Sequence, residues 1–348
     1  MGAGRGGTVE NRRVVLAKRP RGRLDASTTR LEPAERPVCA EGEALIRVGV
    51  LSIDPTIRTW MDDAPGYLPP IALGGVVRGA GAGVVVESRT PRYAVGDVVV
   101  GMTGWQEWAL ATDDVRFSVV PAGLGLDLAS VMNVLGVTGV TAWVGVHEVG
   151  GLRSGDTVVI SAAAGATGSV AGQLAREGGA GQVIGIAGGP EKCQEVIETY
   201  RFDACLDYRE ADLAGRLREA CPKGVDLYFD NVGGAVLDAV LANLAMHARV
   251  VLCGAIAQYD GAERYGLVNT AALITRRATM RGFIVLDYLE RFAPIQAELA
   301  AMVRAGRLAH REHLVEGLER APDALTMLLR GENHGKTLVV IDPTVTLA

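Results

Sequence analysis

A run of small residues stands where an apolar segment meets a helical one. The apolar run TVVISAA leads into the loop Ala162–Ser169, whose sequence is AAAGATGS, and a segment with helical periodicity follows. This AxxGxxG run is a variant of the GxGxxG fingerprint. Gly165 would let the backbone approach a pyrophosphate, and Gly168 would let the helix pack closely on the strand. The helix N-terminus adds amide donors and a positive dipole. A dinucleotide site is therefore predicted, the alternative being a tight turn without a ligand.

The end of the next apolar run bears on which dinucleotide is bound. NAD sites usually place Asp or Glu there, where the carboxylate binds the ribose hydroxyls. Here QVIGIA ends in Gly188-Gly189, and Lys192 follows just inside the next helix. A carboxylate would repel a 2′-phosphate, whereas Gly188 leaves room and Lys192 offers a cation. A preference for NADPH follows, with Glu191 interpreted as serving the helix dipole. The alternative for Lys192 is a solvated helix lysine.

The chain has two parts that differ in their pattern of apolar residues, and the elements of these parts must position the residues described above. From Val14 to about Val120, short β-type runs are separated by Gly, Pro and Asp turns, which indicates a mostly β domain. From Gly155 onward, apolar runs alternate with helical segments, which is typical of a doubly wound parallel sheet. The tail has the pattern of a strand, a helix, a glycine-rich turn and a second strand. It is expected to fold back onto the β domain. A length of 348 residues agrees with two domains.

The net charge excludes two classes of partner, and the cysteines indicate the compartment. The net charge of -5 gives no field that would gather nucleic acid or an anionic membrane surface, so neither partner is expected. No apolar run is long enough to cross a bilayer, and the first residues lack the apolar core of a secretory signal. The 5 cysteines are scattered and contain no CxxC pair. A cytoplasmic protein with reduced thiols is expected.

Several separated motifs together resemble a known family. They are SIDPTIR at 52–58, LGVTGVTA at 135–142, the AAAGATGS loop, YFDNVGG at 228–234, CGAIAQY at 253–259 and GENHGK at 331–336. From about Asn11 onward the chain resembles the zinc-independent medium-chain dehydrogenases/reductases. Within them it is similar to the group of leukotriene B4 dehydrogenase, prostaglandin reductase, alkenal/one oxidoreductase and curcumin reductase-like enzymes. The resemblance implies an α/β protein with a GroES-like, mostly β catalytic domain (13–137 and 309–348), a Rossmann domain (138–308) and a disordered tail (1–12).

The resemblance also implies roles for individual residues. Lys192 and Tyr208 would hold the 2′-phosphate, and Asn333 would reach the nicotinamide end or the diphosphate. Tyr259 would be the catalytic hydroxyl, nearest the substrate carbonyl and the nicotinamide ribose. The chain departs from the family at Thr56 and Asp260, where Tyr and Asn are common, which alters the substrate wall and the loop around Tyr259. The implied cofactor-binding residues are Thr138, Thr141, Ala164, Gly165, Ala166, Thr167, Gly168, Gly188, Lys192, Tyr208, Asn231, Val232, Cys253, Gly254, Ile256, Tyr259, Phe283, Val285, Asn333 and Gly335.

No metal is expected to take part in the reaction. Zinc-dependent relatives hold the metal with Cys and His, yet Cys39 is the only cysteine before Val120 and no histidine precedes that point. His310 and His313 lack a third ligand. Hydrogen-bond donors must then activate the carbonyl, which suits reduction of the C=C bond of enones and enals by NADPH. Quinone reduction, a pathway-specific biosynthetic reductase and a non-catalytic NADPH-binding protein are the alternatives.

A small apolar carbonyl substrate would need an apolar and aromatic pocket. For each lining residue the alternative is ordinary core packing, and for Tyr259 it is a loop aromatic that packs on the cleft. Arg58 is interpreted as the ion-pair partner of Asp54 or Asp62, the alternative being that it orients an anionic substrate. The segment ATMRGFIVLD could supply the edge strand of a homodimer formed through the Rossmann domains. The candidate substrate residues are Tyr67, Met102, Trp105, Tyr259 and Phe283.

Overall fold

The computed structural model describes residues 10–260 and 265–347, which contain the following elements. The strands, in chain order, are β1 (Glu10–Leu16), β2 (Thr29–Glu35), β3 (Ala44–Ser52), β4 (Gly81–Ser88), β5 (Val98–Gly101), β6 (Trp108–Ala111), β7 (Phe117–Val119), β8 (Thr157–Ser161), β9 (Gln182–Ala187), β10 (Ala204–Asp207), β11 (Val225–Asp230), β12 (Leu244–Leu252), β13 (Thr279–Gly282), β14 (Glu312–Glu316) and β15 (Lys336–Val340). The helices are α1 (Ile57–Trp60), α2 (Leu128–Asn133), α3 (Val137–Val144), α4 (Ala166–Glu177), α5 (Pro190–Glu198), α6 (Leu213–Ala220), α7 (Gly234–Leu241), α8 (Ala271–Thr275), α9 (Phe292–Arg304) and α10 (Ala321–Leu329).

The chain divides into two compact units. The first contains the residues up to Leu128, Leu314–Arg330 and the residues from Thr337 onward, and the second contains Ala129–His313 and Gly331–Lys336. The predicted division placed residues 129–137, 309–313 and 331–336 in the β domain instead. Hydrogen bonds that join these residues to the rest of the second unit explain the difference. The Asn133 amide nitrogen donates to the Glu312 carboxylate at 2.9 Å, and the Gly335 amide donates to the Ala164 carbonyl at 3.1 Å.

Antiparallel strands form the first unit. β1 pairs with β2, and a larger sheet has the order β14-β15-β3-β4-β5-β7, with β6 also paired to β3. β3 is buried along nearly its whole length, because strands flank it and apolar side chains of α10 and neighbouring loops pack around it. The tail strand β15 pairs with β3, as the pattern of the tail predicts.

A parallel sheet forms the centre of the second unit. Its order is β10-β9-β8-β11-β12-β13, and each pair of neighbouring strands in it is parallel. This is the strand order of a doubly wound Rossmann sheet, so the predicted fold class is confirmed. The strand order reverses between β8 and β11, and ligands of such sheets bind in the crevice outside the carboxyl ends of the strands at that point.

The last residues of the predicted N-terminal tail can be compared with the structure. Residues 1–9 lie outside the described residues, whereas Glu10–Arg12 belong to β1 rather than to a disordered segment. Seven residue pairs join this strand to β2, and Arg12 forms an ion pair with Glu107 at 2.7 Å, so the strand begins before the apolar run does. Of the helices described, none is both long enough and apolar enough to cross a bilayer.

Candidate active site

The predicted phosphate loop connects β8 to α4. Gly165 is the N-cap of α4 with extended backbone (φ −84°, ψ 168°), and its amide donates to the Ala162 carbonyl at 2.9 Å. A Cβ on Gly168 would lie 2.3 Å from that same carbonyl oxygen, closer than real Cβ contacts come. Only glycine therefore lets the first turn of α4 approach the strand. Gly165, Ala166 and Thr167 are half-buried, and the first amides of a helix have no partners within it. This end of the helix can receive an anion.

A buried carboxylate organises the opposite side of the crevice, at the end of β11. Asp230 has no exposed surface, and its Oδ1 accepts hydrogen bonds from the hydroxyls of Tyr228 (2.7 Å) and Ser161 (3.0 Å). The same oxygen accepts the amides of Val232 and Gly233, each at 3.0 Å. Asp230 thus fixes the turn after β11 beside the end of β8. Sequence reasoning missed it, although an acid at the end of an apolar strand was a signal.

Replacing Asp230 by Ala should destabilise the second unit. We expect a loss of roughly 3 kcal/mol or more in the free energy of unfolding, because each buried donor left without a partner costs about 1–3 kcal/mol. Urea unfolding followed by circular dichroism measures the change. The exposed Glu219, replaced by Ala, is the control and should leave the unfolding midpoint unchanged. Equal midpoints for both variants would contradict a structural role for the Asp230 carboxylate.

Backbone hydrogen bonds tie the loop after β12 to the turn after β11. The Asp230 carbonyl accepts the amides of Cys253 (2.8 Å) and Gly254 (3.1 Å), and the Asn231 carbonyl accepts the amide of Ile256 (3.2 Å). The Asn231 side-chain amide donates to the Ser161 carbonyl at 2.8 Å. Burial, with the nearby Asp230, raises the pKa of the Cys253 thiol to about 12, so this cysteine remains a neutral thiol. The structure brings these predicted residues together at the crevice.

Tyr259 follows the 3-10 turn Ile256–Gln258 in that same loop. Its hydroxyl accepts a hydrogen bond from the Ala255 amide at 3.0 Å, and a Cβ on Gly254 would lie 3.4 Å from the hydroxyl oxygen. The half-buried side chain thus folds back on its own loop. The oxygen is held in one position at the carboxyl end of β12, which a hydrogen-bonding role requires.

The end of β9 has the glycine pair that the sequence placed there. A Cβ on Gly188 would lie 2.8 Å from Cε1 of Tyr208 and 3.0 Å from its hydroxyl, so the tyrosine ring covers this glycine. The Lys192 ammonium donates to the Gly331 carbonyl at 2.7 Å. Of the two residues predicted to hold the 2′-phosphate, Tyr208 therefore lies beside the glycine pair and Lys192 lies on α5, the helix that follows it.

Arg209 is a residue that sequence reasoning missed. Its Nη1 lies 3.3 Å from the position that a Cβ on Gly189 would take, and its guanidinium carbon is 5.9 Å from the Tyr208 ring centre. Burial and the nearby Arg209 lower the pKa of Lys192. Asp207 accepts the backbone amide of Arg209 at 2.9 Å. Two cations and a phenol thus surround the glycine pair. The adjacency of Arg209 to Tyr208 was the available signal.

The segment Gly331–Lys336 packs on the phosphate loop. Gly335 forms a parallel bridge with Gly165, and its φ of +63° and a Cβ position 2.0 Å from the Arg311 carbonyl both demand glycine. The His334 imidazole lies 2.6 Å from the Glu195 carboxylate. The buried Asn333 donates its side-chain amide to the Gly335 carbonyl at 2.9 Å, which shapes the segment itself. Its predicted contact with the cofactor stays a prediction.

The remaining predicted residues of the second unit lie on α3 and after β13. The Thr138 hydroxyl donates to the Asn133 carbonyl at 2.8 Å, and the Thr141 hydroxyl donates to the Val137 carbonyl at 2.7 Å. Each hydroxyl keeps acceptor capacity for a ligand. The Phe283 ring packs edge-on against Tyr288 with centroids 6.4 Å apart. Phe283 and Val285 are half-buried, and their contact with cofactor or substrate stays a prediction.

In the first unit the three candidate substrate residues differ in accessibility. Tyr67 is 47% exposed and its hydroxyl lies 2.7 Å from that of Thr56, while Met102 is 39% exposed. Trp105 is 0% exposed, so its assignment to a pocket wall is wrong: it packs in the core, with its indole nitrogen against Gly79. Arg58 forms an ion pair with Asp62 at 2.8 Å, which confirms its structural interpretation.

Two histidines in the described part of the chain pair with acids. His310 lies 2.7 Å from the Glu312 carboxylate, and His334 lies close to Glu195. Within residues 10–260 and 265–347, no three His, Cys, Asp or Glu side chains are grouped so that they could hold a metal ion.

Comparison with known proteins gives matches over nearly the whole chain. Residues 12–119 match the family described as N-terminal domain of oxidoreductase, and residues 166–302 match zinc-binding dehydrogenase. The chain is 39% identical to the NADPH-dependent curcumin reductase of Escherichia coli (strain K12), over 94% of this chain and 96% of that one. It is 38% identical to the NADP(+)-dependent 2-alkenal reductase of Nicotiana tabacum, over 84% and 85%. The crystal structure of CurA from Vibrio vulnificus in complex with NADPH superimposes with a TM-score of 0.89 at 39% identity, covering 95% and 99%.

Proposed function

Because the chain belongs to the medium-chain dehydrogenase/reductase family, in its curcumin reductase-like group, we propose that it reduces the C=C bond of enones and enals with NADPH. The chain is an NADPH-dependent oxidoreductase, as its relatives with that cofactor indicate. The observation that carries the finer proposal is the Tyr259 hydroxyl, held at the crevice by the Ala255 amide at 3.0 Å. The α,β-unsaturated carbonyl substrate is inferred from that donor together with the relatives.

The residues of the second unit fit NADPH. A side chain on Gly168 would clash with the Ala162 carbonyl, so the cradle at the start of α4 exists only with glycine there. No acid follows β9 itself, and the Asp207 carboxylate at the end of β10 accepts the backbone amides of Gly189 and Arg209. Lys192, Tyr208 and Arg209 would hold the 2′-phosphate. The loop Ala164–Gly168 would hold the diphosphate, with Asn231 and Val232 at the other side of the crevice.

In this mechanism the protein positions the substrate and stabilises charge. NADPH, when bound, supplies the hydride. The Tyr259 hydroxyl donates a hydrogen bond to the substrate carbonyl oxygen and stabilises the negative charge that develops there as the β-carbon is reduced. Because this hydroxyl also accepts the Ala255 amide, it is polarised into a stronger donor. The α-carbon then takes a proton from water or through the hydroxyl. Apolar surroundings would strengthen the donated bond.

A panel of substrates tests this activity against its alternatives. NADPH oxidation is followed by its absorbance with enals, enones and quinones offered one at a time. Saturation of the C=C bond, identified by mass spectrometry of the product, supports the proposal. Turnover of quinones alone would make the chain a quinone reductase. Binding of NADPH with no acceptor reduced would favour a non-catalytic NADPH-binding protein.

We propose that the protein is a homodimer formed through its second unit. β13 stands at the edge of the parallel sheet and pairs with β12. Large apolar side chains in the segments before and after it in the chain are exposed, with Ile274 at 81%, Val268 at 76% and Leu289 at 61%. An exposed strand edge and an apolar surface of this kind are typically covered by a second chain.

Replacing Ile274 by Asp should convert this dimer to a monomer, because a carboxylate would be buried without a partner in the interface. Light scattering coupled to size-exclusion chromatography measures the mass. The matched control is Leu73→Asp, at an apolar residue of the first unit that is 60% exposed. A wild-type monomer, or an Ile274→Asp dimer, would contradict the proposal.

The cytoplasm is the compartment that we propose for this protein. The five free thiols and the NADPH cofactor both support it.

A further inference from the structure

Glu195 is a buried acid of the second unit that the proposed mechanism does not use. It lies on α5, one turn after Lys192. Its Oε1 accepts the Tyr200 hydroxyl at 2.9 Å, and its Oε2 accepts Nη1 of Arg311 at 3.1 Å. Nδ1 of His334 lies 2.6 Å from the same Oε2, and because an ionised carboxylate only accepts, this nitrogen is the donor. The carboxylate therefore joins α5 to two stretches that are distant from it in sequence.

One of those stretches, the tail segment Gly331–Lys336, lies on the phosphate loop. The Gly335 amide donates to the Ala164 carbonyl at 3.1 Å, and Gly335 forms a parallel bridge with Gly165, the N-cap of α4. His334 stands directly before Gly335 in the chain. A buried charge is tolerated when partners compensate it, and the bonds that do so have fixed geometry. The pair with the buried carboxylate thus holds the residue next to the contact with the loop.

Helix α5 holds the tail segment at two points that have different tasks. The Lys192 ammonium donates to the Gly331 carbonyl at 2.7 Å, and we also expect it to bind the 2′-phosphate. The Glu195 carboxylate is occupied by its three donors, of which His334 belongs to the tail segment. Removing the His334 side chain therefore releases the tail segment and leaves the cation of the 2′-phosphate site in place. Removing Lys192 would change both.

We propose that His334, held by Glu195, is a positioning residue of the cofactor site. It fixes the tail segment on the phosphate loop and so keeps the first amides of α4 in place for the diphosphate of the dinucleotide. A loop that is already ordered binds more tightly, because the cost of ordering it is not charged against the affinity. The inference rests on the NADPH dependence of the chain and is independent of the acceptor that the proposed function assigns.

Titrations of His334 variants with NADP⁺, NAD⁺ and 2′-AMP, measured by calorimetry, test this role. His334→Ala should weaken NADP⁺ and NAD⁺ by the same factor, about 10-fold, as the loss of a hydrogen bond to a charged group implies. The affinity for 2′-AMP should not change, because this nucleotide has the 2′-phosphate and lacks the diphosphate. His334→Asn should restore most of the lost affinity, since its amide nitrogen takes the place of the imidazole Nδ1.

A second set of variants tests whether His334 acts through the carboxylate. In a Glu195→Gln background, where the acceptor has lost its charge, His334→Ala should cost less affinity for NADP⁺ than it does in wild type. His247→Ala, at an exposed histidine of β12, is the matched control and should leave all three affinities unchanged. Thermal unfolding midpoints well above the temperature of the titrations verify that every variant is folded.

Four results would overturn the positioning role. They are an unchanged NADP⁺ affinity in His334→Ala, an equal loss for 2′-AMP, no recovery in His334→Asn, and losses that simply add in the Glu195→Gln background. The half-exposed His334 can be replaced without opening the core, so its variants keep the test intact if Glu195→Gln does not fold. No acceptor is needed for these titrations. A chain that shows the expected affinities and reduces no enone would therefore contradict the proposed function alone.

Discussion

Replacing Tyr259 by Phe lowers kcat for enone reduction by about 100-fold, the usual effect of losing one donor to a developing oxyanion. The substitution removes a single oxygen and keeps the ring. That oxygen is the acceptor of the Ala255 amide, which is left to find water in the variant. The dissociation constant for NADPH stays the same, because the loop Ala164–Gly168 and the residues around Gly188 are untouched. Stopped-flow absorbance gives kcat, and cofactor fluorescence gives the dissociation constant.

Tyr265→Phe provides the matched control for this experiment. Its hydroxyl lies 3.4 Å from the Asp238 carboxylate, and it is exposed to 42%. The control should leave kcat within twofold of wild type, since no proposed step uses that oxygen. If Tyr259→Phe retains full kcat, the hydroxyl has no part in the reaction. A joint fall in kcat and NADPH affinity would instead indicate that the tyrosine supports the loop after β12.

Replacing both Lys192 and Arg209 by Ala abolishes the preference for NADPH over NADH. Each side chain offers a charge-assisted hydrogen bond to the 2′-phosphate, and losing one costs about 1.5–3 kcal/mol, or roughly 10- to 100-fold in affinity. NADH lacks the phosphate and should bind the Arg209→Ala variant nearly as it binds the wild type. Titrations of the four proteins with both nucleotides, monitored by fluorescence, measure the change in preference.

The two single variants separate phosphate binding from support of the tail segment. Lys192 also donates to the Gly331 carbonyl at 2.7 Å, so its loss could weaken both nucleotides through that segment. Arg209 has its guanidinium at Gly189, and its replacement should affect NADPH alone. Arg218→Ala, an exposed arginine on α6, is the control for net charge. Equal losses of NADPH and NADH in Arg209→Ala would refute its contact with the phosphate.

Local patterns predicted the dinucleotide unit because its constraints are local. Strands and helices alternate visibly from Gly155, and the close approach of α4 to β8 requires glycine at 168. The sequence likewise shows directly that Gly188-Gly189, and not an acid, follow the strand QVIGIA. Lys192 belongs to the same short stretch. Each of these features depends on residues that are adjacent in the chain, so spacing alone indicates where they meet.

Features made by residues distant in sequence could not be predicted in this way. Trp105 is an aromatic residue of the kind that lines apolar pockets, yet the residues packed around it leave its side chain with no exposed surface. Whether an aromatic side chain is accessible depends on every element folded around it. Similarly, no local pattern indicates that the Asp230 carboxylate accepts the Ser161 hydroxyl at 3.0 Å, since β8 and β11 become neighbours only when the sheet forms.

By itself, the sequence determined the order of elements, the Rossmann and GroES-like classes and the glycine positions that a dinucleotide needs. Only the tertiary structure decided which side chains complete the site. It placed Arg209 beside Gly189 and packed Gly331–Lys336 on the phosphate loop. The physical reason is that backbone conformation and periodicity follow from near neighbours in the chain, whereas burial and charge compensation depend on contacts that folding creates.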